Sequence, residues 1–133
     1  WMDDVHEICN VAHHVSEQDP VRAEFNLAVR RFRRQRPWLR EDLRPGEHFD
    51  NSHPCDGTVL FYGLRCAPDD GEQVLFVANM EGAPRTIVPL SLPVPDLAKS
   101  GWTLALATPG LEAGHATQEI TLHNSQGLVY VRG

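Results

Sequence analysis

The chain has 133 residues, 41% of them hydrophobic and 23% charged, with a formal net charge of -6. That is enough for one domain with a core, too short for a complete barrel enzyme of about 250 residues, and too apolar for wholesale disorder. The acidic balance argues against a general nucleic-acid binder, and no apolar run approaches the roughly 20 residues that span a bilayer.

The first residue is Trp1 rather than Met, as in a fragment or a processed chain. The N-terminal stretch, with Asp3 and Asp4, lacks the basic start and apolar run of a signal peptide. Cys9, Cys55 and Cys66 show no CxxC spacing, so neither a disulfide framework nor a zinc knuckle is indicated, and a reducing cytoplasm is the simplest compartment. Asp4 to His14 favours helix, with Val5, Ile8, Cys9, Ala12 and Val15 on one side, but it has no stop signal. His6, His13 and His14, with Glu7 and Glu17, raise a metal site. Seven residues between His6 and His13 is too far for one ion without another ligand, and no HExxH pattern occurs, so a surface or interdomain role is favoured and no metal or other cofactor is expected.

A helix is predicted from Pro20 to Arg36. Asp19 can cap it, Pro20 suits its first position, and Pro37 stops it. Val21, Phe25, Val29 and Phe32 recur at helical spacing on one face, and Trp38 and Leu39 are left to pack beyond the end. The run RRFRRQR, Arg30 to Arg36, could clamp phosphates, but Phe32 interrupts it on the apolar face. A solvated or salt-bridged helix surface is the favoured reading.

The composition changes at Pro45. RPGEHFDNSHPCDG is rich in turn formers and is predicted as a linker over 45–57, between a helical segment at 1–44 and a β domain at 58–133. Six strands are then predicted: Thr58 to Cys66, Gln73 to Ala78, Arg85 to Leu90, Trp102 to Thr108, Glu119 to Leu122 and Leu128 to Arg132. Turn signals separate them and no helical pattern intervenes, which implies a mainly β fold: an antiparallel Greek-key sandwich of about six to eight strands, preceded by one or two helices. Val74 to Leu90 reads as a hairpin turning at Asn79 to Pro84, and the alternation in WTLALAT places Trp102, Leu104 and Leu106 on one face.

Chemistry is scarce. The carboxylate pairs Asp3/Asp4, Glu41/Asp42 and Asp69/Asp70 are adjacent in sequence and read as solvated turns, whereas acid–base catalysis needs a carboxyl in a pocket. His48 and His53, in HFDNSH, supply no nucleophile with its base. Trp102, Tyr62 and Tyr130 could stack on sugars, but each lies in a predicted strand where packing is the commoner role.

The ordered set LAVRRFRRQRPWLRE, TVLFYGLR, QVLFVANMEGAPRTIVPL, GWTLALAT and EITLHNSQGLVYVR resembles the C-terminal part of α-amylase-family glycoside hydrolases, similar to family 13. In those enzymes an Arg-rich helix ends the catalytic (β/α)8 barrel at a Pro, where this chain has Arg36, Pro37, Trp38, Leu39 and Arg40. A β-sandwich with a Val-Leu-Val-Val-Ala-Asn strand follows, matched here by Val74 to Asn79. VSEQDPVRAEFNL resembles the entry to the last barrel helix in the glucosidase and trehalose-synthase branches. The resemblance spans about Val15 to Gly133, and its force lies in order and spacing rather than in any one motif. It implies a non-catalytic sandwich domain that stabilises a barrel acting on α-glucosidic bonds, with the catalytic carboxylates in segments this chain does not contain. Val21, Phe25, Val29, Phe32, Trp38 and Leu39 would then pack against that barrel or in a homo-oligomer. A free-standing module binding α-glucan or an anion is the alternative; neither membrane nor nucleic acid is an expected partner.

Overall fold

The computed structural model describes residues 20–43, 45, 47–55, 58–69 and 71–133. The predicted helix at Asp4 to His14 and its histidines lie outside them. Helix α1 spans Pro20–Arg34. Pro20 opens it where a missing N–H costs nothing, and Arg31, Arg33 and Arg34 place positive charge at the negative end of the helix dipole. It stops two residues earlier than predicted. Arg36 N bonds Arg33 O at 3.1 Å, tightening the last turn before Pro37, and Pro37–Arg40 forms a short 3₁₀ turn.

Among the described residues the remainder is mainly β: β1 His48–Cys55, β2 Thr58–Cys66, β3 Gln73–Glu81, β4 Arg85–Ile87, β5 Trp102–Ala107, β6 Ile120–Leu122 and β7 Gln126–Arg132. All pairings are antiparallel. One sheet has the order β1-β2-β3-β7-β5, and β4 with β6 makes a second. The chain crosses between the sheets at β4 and again at β6, so β7 enters between β3 and β5.

Each face of the larger sheet has its own core. Leu60, Tyr62, Leu64, Leu75, Val77, Leu128 and Tyr130 pack against Ile87, Leu90, Leu92, Ile120 and Leu122 of the second sheet and its loops. Phe61, Val74, Phe76, Ala78 and Val129, one residue out of phase, pack against Phe25, Val29 and Phe32 of α1 and against Leu39. Strands β2, β3 and β7 are therefore apolar on both faces, which explains the near-continuous hydrophobic runs YGL and VLFVA.

Four predictions need correction. The expected linker at 45–57 contains β1, whose residues pair with β2 from His48↔Leu64 to Cys55↔Thr58, with a bulge between Asp50 and His53. Pro54 and the bulge are both tolerated because β1 is an edge strand. Val74 to Leu90 is not a hairpin, because β4 pairs with β6 instead of β3. Gly82, at φ 114°, turns the chain away from the larger sheet, and the fully buried Asn79 holds the corner by donating Nδ2 to Ala83 O at 3.1 Å and Leu122 O at 2.9 Å. Strand β4 ends at Ile87, because Pro89 begins a 3₁₀ turn. Finally, Leu106 does not share a face with Trp102 and Leu104. Leu104 pairs with Tyr130 and Leu106 with Val129, so Ala105 is a bulge that turns Leu106 toward α1.

Candidate functional site

The residues expected to meet a separate barrel are placed mostly inside this chain. Phe25, Val29, Phe32 and Leu39 are buried against the sheet, where Phe61 and Phe76 lie 5.8 Å apart between ring centroids. Val21, at the first turn of α1, is 58% exposed. Trp38 is half-buried, partly packed on the same core.

Two arginines fasten the helical segment to the sheet. Arg65 lies on the α1-facing side of β2 and, like Glu47, has a side-chain exposure of 0%. Its Nε donates to Glu47 Oε2 at 2.7 Å, its Nη1 to Leu39 O at 3.2 Å and its Nη2 to Glu41 O at 2.8 Å. Glu47 Oε2 also accepts from Cys66 N at 2.8 Å. The guanidinium thus neutralises a buried carboxylate and satisfies carbonyls at the end of the 3₁₀ turn, where no helical donor remains. Arg36 makes a two-pronged pair with Glu72, at 2.6 Å and 3.1 Å, while its guanidinium carbon sits 3.8 Å from the Phe32 ring centroid.

These anchors border a cleft of about 480 Å³ lined by Trp38, Ala67, Pro68, Asp69, Gly71 and Glu72. Its floor is the β2–β3 turn, closed by Ala67 N to Glu72 O at 2.8 Å. Asp69 Oδ1 accepts from Gly71 N at 2.9 Å, which fixes that carboxylate at the rim. Both Glu72 oxygens accept from Arg36, so this acid is committed to holding an arginine rather than to delivering a proton. The arrangement suits binding of a polar, neutral ligand better than acid–base chemistry.

The other candidates separate. Tyr62 and Tyr130 are buried in the core and cannot stack on a ligand. Trp102 is half-buried beside a cleft of about 360 Å³ with His115, and its indole N–H is taken up by Ala98 O at 2.9 Å. Glu41 and Asp42 are exposed, Asp69 is in the turn, and Asp3, Asp4 and Asp70 lie outside the described residues. His48 and His53 fall on β1. Arg30, Arg31 and Arg34 are exposed along α1, whereas Arg36 is paired. Among the described residues no three His, Cys, Asp or Glu side chains gather as metal ligands, and no helix is long and apolar enough to cross a membrane.

Sequence reasoning missed Arg65, Glu47 and the cleft. A signal for Arg65 exists: in TVLFYGLR it alternates in phase with Phe61, a position the pleat buries. Nothing local marks Glu47, which is joined to β2 only by folding.

Comparison with curated proteins finds no match. The model of a family described as "hypothetical glycoside hydrolase 5" matches residues 1–130, nearly the whole chain. This mainly β chain therefore belongs to the hypothetical glycoside hydrolase 5 family and is a glycoside hydrolase-related domain.

Proposed function

We propose that the chain is the non-catalytic β-sandwich part of an α-amylase-family enzyme acting on α-glucosidic bonds, and that it stabilises the catalytic barrel. The observation that supports this most directly is the fastening of the helical segment to the sheet: an apolar face of Phe25, Val29 and Phe32 plus the buried Arg65, which holds the carbonyls of Leu39 and Glu41 just beyond α1. In the resemblance above, α1 is the helix that ends the barrel. A sheet riveted to that helix restrains the barrel's closing element without contributing to the reaction. A catalytic carboxyl pair for retaining hydrolysis, about 5 Å apart across the sugar, belongs in this reading to the barrel.

The test uses the enzyme carrying this segment, assayed on α-1,4-linked maltooligosaccharides. Arg65→Met is expected to lower the temperature at which activity is lost, while KM stays unchanged. A raised KM with an unchanged inactivation temperature would instead support a substrate-binding module, and failure to cleave any α-glucoside would overturn the reading altogether.

A further inference from the structure

We propose that the cleft at Trp38 is a binding subsite for a gluco-configured pyranose unit of an α-glucan. The inference rests on the glycosidase reading above and names a place on this chain for its substrate class. Four features converge. The first is size: about 480 Å³ lies in the range of small-ligand sites, roughly 300–1,000 Å³. The second is chemistry. A pyranose presents an apolar C–H face and a rim of hydroxyls, and the cleft offers an indole beside two carboxylates, those of Asp69 and Glu72.

The third is charge. Arg36 neutralises Glu72, which leaves neither the multiple free carboxylates a cation needs nor a spare guanidinium for an anion. A neutral polyol fits what remains. The fourth is preorganisation. The Trp38 side chain packs in part on the core beneath α1, and the backbone around it is held by Arg65. The Asp69 carboxylate is fixed by Gly71 N, and Glu72 by Arg36. Little freedom is lost when a sugar arrives. The indole N–H of Trp38 has no protein acceptor among the described residues, unlike that of Trp102, so it can donate to a hydroxyl.

The experiment titrates the ¹⁵N-labelled chain with maltoheptaose, and with cellohexaose in parallel, following the indole signals of Trp1, Trp38 and Trp102. The expected result is a saturable shift of the Trp38 signal with maltoheptaose. Trp38→Phe should weaken binding about tenfold, since the smaller ring loses much of the stacking area. Asp69→Asn keeps the Oδ1 acceptor for Gly71 N and so preserves the turn; a several-fold loss is expected there too, which guards against misreading a folding defect in the tryptophan variant. No shift with either oligosaccharide overturns the subsite, and if Arg65→Met still lowers the inactivation temperature, the accessory reading survives without it. A response to cellohexaose alone overturns the α-glucan assignment. Maltoheptaose binding that is indifferent to both substitutions places the sugar elsewhere and overturns the subsite.

Discussion

Replacing Arg65 with Met removes the positive partner of a carboxylate that has no contact with water. In the folded chain Glu47 would lose its guanidinium partner while still accepting from the Cys66 amide, and the carbonyls of Leu39 and Glu41 would lose their guanidinium donors. Breaking a fully buried ion pair from one side costs about 3–5 kcal/mol, most of it the uncompensated charge. Folding free energies are about 5–15 kcal/mol, so this is a large share of the total. For a chain of this size the unfolding midpoint should fall by roughly 10–20 °C. The assay is urea unfolding of the wild type, Arg65→Met, Glu47→Leu and the double variant. The double variant should recover much of the loss, because it leaves no unpaired charge in the interior, and the slope of free energy against urea should not change. A single-variant cost below about 1 kcal/mol, or a double variant no better than the singles combined, would refute the idea that the pair is a buried latch.

Three further outcomes are expected. Asn79→Ala should cost about 1–3 kcal/mol in urea unfolding, because it strips the donor from the buried carbonyl of Leu122, and the partly buried bond to Ala83 O, at the corner between the sheets. Gly127→Ala should cost about 1–3 kcal/mol, since an added Cβ would lie 3.0 Å from the Ala78 Cβ and 3.1 Å from Val77 O, the latter part of the rigid backbone. Burial raises the Tyr130 phenol above its ordinary 10.0, so the folded state holds that proton more tightly than the unfolded chain. Its contribution is complete below pH 10.0 and is lost as pH rises through the folded value; urea midpoints measured from about pH 8 to 11 should fall less steeply in Tyr130→Phe than in the wild type.

Elements with their own periodicity were legible in the sequence. Phe25, Val29 and Phe32 announce α1, and the β-branched and apolar runs announce β2, β3 and β7. Strand β1 was not, because HFDNSHPC carries turn formers throughout, and its extended form is set by the neighbouring β2 rather than by its own residues. The switch of face at Ala105 was hidden for a similar reason: WTLALA alternates perfectly, and only pairing against β7 inserts the extra residue. The cleft was illegible because its parts were read separately. Trp38 looked like packing and Asp69 like a turn residue, and only the β2–β3 turn brings them together with Glu72.

The larger sheet has an oily surface on each side, and α1 covers one of them. A boundary drawn just before Pro45, where composition suggests it, would cut through a single interior. The two pieces would be complementing fragments, each incomplete until it meets the other, rather than modules that could be exchanged between proteins. Recombination at that point would be penalised, because it would part α1 from the sheet face it covers.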